Sequence, residues 1–178
     1  CAFYEVGEHN HIRLRGADWN DALDMAPDKG ESVAFTCAYA GNLMQLADLL
    51  ALLAERYGWE SVELLEEMEV LLQEDPAVYD NRCAKQELLQ QYLQSVVHQV
   101  SGGRITADVS RLAENLRRKA VWMQEHIRKT EWIQGDQEGW FNSYYDNHGN
   151  AVEGCFTNGV RMMLTGQVFA IMSGTADP

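Results

Sequence analysis

The densest chemistry in the chain sits at Asp18-Trp19-Asn20-Asp21. With Asp24 it sets three carboxylates around one tryptophan, just ahead of a second cluster, Gly30-Glu31-Ser32-Val33. An indole face can stack on a sugar ring, and amides and carboxylates can bind its hydroxyls. One carboxyl kept protonated can donate to a glycosidic oxygen. A plainer reading of the same residues is a loop leading into a helix, where acidic side chains favour the helix dipole.

The segments around this motif must position it. Residues 1–31 read as irregular, with a short strand near Ile12-Arg13-Leu14. From Ser32 to about Tyr57 the pattern is helical: Leu43, Leu46, Leu50, Leu53 and Tyr57 recur at steps of three and four, and Gly58 is a fitting stop. Ser61 is expected to cap a second, acidic helix running to about Gln73. Asp75-Pro76 stops that helix and starts a third, which reaches about Val100 with Leu89, Tyr92, Val96 and Val100 on one face. After the turn Ser101-Gly102-Gly103, a fourth helix is expected from about Ala107 to Lys129. Its stripe is Leu112, Leu116, Ala120, Met123 and Ile127, and Arg117, Arg118 and Lys119 form a solvated basic face. Asp146-Asn147-His148-Gly149 has hairpin turn chemistry between Trp140–Tyr145 and Ala151-Val152. The apolar stretch Val160 to Met172 reads as a last helix with its leading loop. Successive helix pairs predict an all-α toroid or bundle with one short β-hairpin.

Composition narrows the partners. A net charge of −13 disfavours nucleic acid and anionic membranes, which both call for a basic face. The longest unbroken apolar run, Leu49 to Ala54, is too short to span a bilayer. No signal peptide is legible, and a reducing, cytoplasmic setting is expected for Cys1, Cys37, Cys83 and Cys155, which show no zinc spacing. Cys37 and Cys83 are expected to be buried thiols. The five histidines (His9, His11, His98, His126 and His148) form no ligand pair on one face, so surface or partly buried positions are expected. Asp18, Asp21 and Asp24 lack the alternation and glycine of a calcium loop. No metal or cofactor is expected. The chain opens on Cys1 without a methionine, and it is expected to be a piece of something longer.

At Ala17-Asp18-Trp19-Asn20-Asp21 and Gly30-Glu31-Ser32-Val33 the chain resembles glycoside hydrolase family 94, the inverting sugar phosphorylases. Two further blocks agree in order: Gly139-Trp140-Phe141 with Tyr144-Tyr145-Asp146 and Gly149, and Gly166 to Gly174, where family members often carry tryptophan at the place of Phe169. The long segment from about Glu60 to Gly103, with Arg15 to Asp24 and Val160-Arg161-Met162, is most similar to the cellodextrin phosphorylases. The resemblance implies part of an (α/α)6-barrel catalytic domain spanning residues 1–178, with a helical insertion at about 60–103. It also implies a parent chain that is commonly a homodimer.

The activity so implied is reversible cleavage of β-1,4-glucans by inorganic phosphate, the co-substrate, giving α-glucose 1-phosphate with inverted configuration. The resemblance places the general acid on Asp21. Phosphate is itself the nucleophile, so no second carboxylate is needed to activate water. Asp18, Asp24 and the wall of Trp19 would all push the Asp21 carboxyl up, as an acid requires. Trp19 is implied as a sugar contact and Asp18 as a hydroxyl acceptor. Glu31 is a further substrate-binding candidate, and capping of the next helix is the favoured role for Glu31 and Ser32. Phosphate needs cations and N–H donors, for which Arg161, Lys29 and Thr165-Gly166 are candidates. The chain departs from the cellobiose-type pattern at Thr165, where that pattern has a histidine, leaving Arg161 to supply the charge. Two other functions remain open. One is an inverting hydrolase on the same barrel, with Glu153 as its base. The other is a non-catalytic helical scaffold or carbohydrate-binding module.

Overall fold

A computed structural model describes residues 1–15 and 26–176. Two long antiparallel helices form the spine. The first, α1 (Val33–Tyr57), begins where Ser32 Oγ accepts from the Phe35 N–H, and it ends at Gly58, whose left-handed backbone (φ 68°) lets its N–H reach the Ala54 carbonyl. The second, α4 (Val109–Thr130), is capped by Asp108 on the Arg111 N–H at 2.8 Å. Small residues let the two approach closely: Ala40 of α1 clusters with Met123 of α4, and Ala47 with Ala113, all buried. Val33 and Cys37 meet Ile127 at one end, and Ala47 and Leu50 meet Val109 and Ala113 at the other. By length and composition alone α1 could cross a membrane, beyond what the short run Leu49–Ala54 suggests. Part of its surface packs instead on α4 and on α5 (Leu164–Met172).

Near the N-terminal end of α1 lies a three-stranded antiparallel sheet in the order β1 (Ile12–Arg13), β2 (Glu31–Ser32), β7 (Tyr144–Tyr145). Its register sets Ile12 against Ser32 and Ser32 against Tyr144. Strand β5 (Trp132–Gln134) pairs with β6 (Gly139–Phe141), and β8 (Gly154–Phe156) with β9 (Gly159–Arg161). The expected hairpin turn is present: Tyr145 bridges Ala151, and Gly149 closes the turn with φ 79°.

The predicted insertion is less helical than expected. Residues Ser61–Leu65 form a strand, β3, paired along its length with β4 (Arg104–Asp108), and Glu66–Leu72 is a 3₁₀ helix. Cross-strand partners decide this: Val62 lies opposite Ala107 and Leu64 opposite Ile105, a period of two that wins over the acidic residues' compatibility with helix. Consequently α4 starts at Val109 rather than Ala107. The third predicted helix is two, α2 (Pro76–Asp80) and α3 (Arg82–Val96), broken at Asn81, whose side chain caps Ala84 at 3.1 Å. The last helix starts at Leu164, because Val160 and Arg161 belong to β9. Cys37 is buried as expected, whereas Cys83 is exposed.

Candidate functional site

The segment carrying Asp18, Trp19, Asp21 and Asp24 lies outside the described residues. Its two feet do not. On one side Leu14 N–H donates to the Gly30 carbonyl at 2.9 Å, and the Arg13 guanidinium donates to the Asp28 carbonyl. Arg15 pairs with Glu5 at 2.7 Å. On the other side Gly30 N–H closes a tight turn onto Ala26 at 3.0 Å, and a Cβ at Gly30 would collide with the Ala26 carbonyl. The hairpin tip reaches this foot as well. Asn147 Oδ1 accepts from the N–H groups of Asp28 (2.9 Å) and Lys29 (2.8 Å). Beneath both feet, Leu14 and Ala26 share an apolar cluster with Ala34 and Tyr144, against which Met163 and Phe169 of the α5 region pack.

Glu31, on the central strand β2 of this sheet, is wholly buried. Its carboxylate is taken up by the loop ahead of β1. It accepts from His9 N–H (3.0 Å), from His11 N–H (3.0 Å) and from the His9 ring at Nδ1 (2.8 Å). Gly7 permits the wrap, since a Cβ there would fall on the Glu31 carboxyl carbon. This corrects two expectations. Ser32 alone caps α1, and the Glu31 carboxylate is taken up by His9 and His11 with no free oxygen facing outward.

A second buried carboxylate lies alongside. Glu131, at the end of α4, accepts from His11 Nε2 (2.9 Å), Asn142 Nδ2 (3.1 Å) and Tyr145 OH (2.9 Å). Burial pushes its carboxyl up, but these donors, His11 foremost, outweigh burial and hold it below the usual carboxylate range. Burial, and then the Glu131 charge, push the Tyr145 phenol up. His126 donates from Nε2 to the His9 carbonyl at 2.8 Å, and burial followed by neighbouring His11 pushes its imidazole down. Three histidines therefore belong to the site's frame, and His11 is completely buried, beyond the surface or partly buried placement expected. The alternation Glu8-His9-Asn10-His11 before a strand was the one legible signal. It carries no pointer to Glu131, which lies at the far end of α4.

The phosphate candidates separate. Thr165 and Gly166 lie in the first turn of α5, where no side chain caps the helix. A Cβ on Gly166 would overlap Ser143 Oγ, so α5 is seated directly on Ser143. The Ser143 carbonyl in turn accepts from the first N–H groups of α1, those of Val33 (2.9 Å) and Ala34 (3.2 Å). Arg161 is exposed on β9, where its guanidinium lies 4.9 Å from the Phe156 ring and donates to the Val152 carbonyl at 3.2 Å. Lys29 is exposed and pairs with Glu8 at 3.3 Å. Glu153, the candidate hydrolytic base, is buried and accepts from Ser143 N–H at 2.9 Å, and burial pushes its carboxyl up. Such a carboxyl has no open face on which to hold a water.

Among the described residues no three acidic, histidine or cysteine side chains are grouped to hold a metal. A groove of about 710 Å³ lies at the other end of α4, lined by Leu72, Leu88, Ile105, Arg111, Leu112 and Asn115, well away from these feet. No protein-family model matches the chain, and no curated protein matches it significantly.

Proposed function

We propose that the chain is part of an inverting phosphorylase that cleaves β-1,4-glucans of the cellodextrin type with inorganic phosphate, releasing α-glucose 1-phosphate. Asp21 is the general acid, Trp19 and Asp18 hold the sugar at the scissile bond, and the N–H groups at Thr165 and Gly166 receive phosphate with help from Arg161. One observation carries the reading. The feet of the Asp-Trp-Asn-Asp segment, at Leu14 and Ala26, rest on the same apolar cluster as Met163 and Phe169, which flank Thr165 and Gly166. An acid loop and an uncapped helix N-terminus held on one support suit a reaction that protonates an oxygen on one side of a sugar and brings an anion to the other. Glu31 and Glu131 tie together the residues around β1, β2 and β7, from which the feet of that segment extend, and this favours preorganisation of the acid. The buried Glu153 weighs against the hydrolase alternative.

The apolar outward residues Leu46 and Leu49 of α1 and Leu164, Val168 and Ile171 of α5 suit coverage by further helices of a barrel. The test is phosphate release from α-glucose 1-phosphate with cellobiose and longer β-linked acceptors, using the full-length polypeptide that carries this chain, beside Asp21→Asn. Release that vanishes in the variant is expected. An inactive intact enzyme over the whole acceptor panel, or an Asp21→Asn variant with undiminished release, would refute the reading.

A further inference from the structure

The Glu31–His9 pair leaves one polar atom without a role. Glu31 is buried and accepts three hydrogen bonds, two from backbone N–H groups and one at His9 Nδ1. A carboxylate in that position only accepts, so Nδ1 carries a proton and Nε2 is the ring nitrogen left facing outward. The ring cannot swing away. It stacks on Tyr145 with centroids 3.6 Å apart and planes 8° from parallel, and the Tyr145 hydroxyl is itself tied to Glu131. The His9 side chain is 32% exposed, and its Nε2 has no partner among the described residues. Its Cε1 edge faces Gly149, where the absence of a side chain keeps the approach open. Around it stand Glu8, which pairs with Lys29, and Asn147, which holds Asp28 and Lys29 at the foot of the Asp21 segment.

We propose that His9 is a substrate-binding residue whose Nε2 hydrogen-bonds a glucan hydroxyl, with Glu31 as the residue that orients it. The proposal rests on the phosphorylase reading for the identity of the sugar. A sugar hydroxyl both donates and accepts and so satisfies Nε2, whereas the carboxylates of Glu8, Asp28 and Glu31 around the ring disfavour a phosphate anion. The choice therefore falls on the glucan rather than on its co-substrate. Because the ring is already immobilised by Tyr145 and Glu31, little side-chain freedom is lost on binding.

The test separates the two nitrogens. In His9→Asn the amide occupies the place of Nδ1, so the bond to Glu31 survives and the outer nitrogen is lost. In His9→Gln the amide reaches the outer position instead. Cellotetraose is titrated calorimetrically into the full-length polypeptide and both variants, with phosphate KM and the urea midpoint measured alongside. His9→Asn is expected to weaken cellotetraose about tenfold, the scale of one hydrogen bond, with phosphate KM unchanged and the midpoint lowered only by the lost stacking on Tyr145, less than in His9→Gln. His9→Gln is expected to retain most of the affinity while lowering the midpoint. Wild-type affinity in His9→Asn would overturn the proposal, as would loss of cellotetraose and phosphate binding in equal measure. A wild-type protein that binds cellotetraose yet releases no phosphate would remove the phosphorylase reading and leave His9 to be judged by the titration. One that binds no β-glucan would remove both.

Discussion

Replacing Lys85 with methionine is expected to stabilise the protein in mildly acidic solution and to destabilise it in alkali. The Lys85 side chain is fully buried on α3. Its Nζ donates to Asn10 Oδ1 at 2.9 Å and lies 4.1 Å and 3.9 Å from the ring centroids of Phe3 and Trp122. No carboxylate pairs with it directly, and burial pushes the amine down from 10.5 to about 7. Between those values the unfolded chain binds a proton that the folded chain does not, so stability rises with pH across that window. Below about pH 7 both states are charged and the full penalty of burying the ammonium is present. At about 1.4 kcal/mol per tenfold change, that penalty has a ceiling of about 5 kcal/mol. Methionine removes it but strands Asn10 Oδ1, at about 1–3 kcal/mol, and forfeits about 1 kcal/mol of cation–π attraction. The balance at pH 6 is a gain of about 2 kcal/mol, turning into a loss of about 1 kcal/mol or more at pH 10, where the wild-type amine is neutral in the fold. Urea denaturation from pH 6 to 10, followed by tryptophan fluorescence, measures both ends. A residual slope will remain from Lys119, which burial pushes down to about 8. A variant less stable than wild type at pH 6, with an unaltered slope between 7 and 10, would refute the claim that an unpaired buried charge sits there.

Two further substitutions probe the frame. Glu131→Gln strips the charge from three donors at once and is expected to cost about 3 kcal/mol at pH 7, as for a broken buried pair. Since the native carboxyl is held low, its contribution is present above the usual carboxylate pKa and fades as acid is added. Wild-type and variant denaturation midpoints should therefore converge towards low pH, and a constant gap down to pH 2 would contradict this. Gly166→Ala places a methyl on Ser143 Oγ and is expected to lower stability by about 1–3 kcal/mol. Differential scanning calorimetry showing an unchanged Tm would mean that α5 is not seated on Ser143.

What the sequence reveals here is local chemistry. Ser32 and Gly58 bracket α1 because a hydroxyl that caps and a residue that tolerates positive φ are properties of single positions. The turn at Asp146–Gly149 is legible for the same reason: Asp146 Oδ1 accepts from His148 and Asn150 within its own turn. Ser61–Leu65 misleads because its state is decided by Arg104–Asp108, far along the chain, while its acidic residues suit a helix equally well. The His11–Glu131 pair is hidden in the same way. Glu131 reads as one more acid after the last turn of α4, and only the packing of α4 against the strand before the motif reveals its partner. The three blocks that carry the family resemblance meet at Tyr144, Phe169 and the feet of the Asp21 segment, whereas Asp21 itself lies outside the described residues.

The central place of β2 has a consequence for the order of events during synthesis. Glu31 and Ser32 emerge early but pair on one side with Tyr144 and Tyr145, after all of α1 to α4 has been made. At roughly 5–20 residues per second the ribosome takes on the order of ten seconds to deliver that third strand. Through that interval Glu31 lacks its partner Tyr145, and β2 offers an open edge to any other nascent chain. Completion of this sheet is therefore a late, non-local step, and a chain halted before Tyr144 would carry β2 with one edge unpaired.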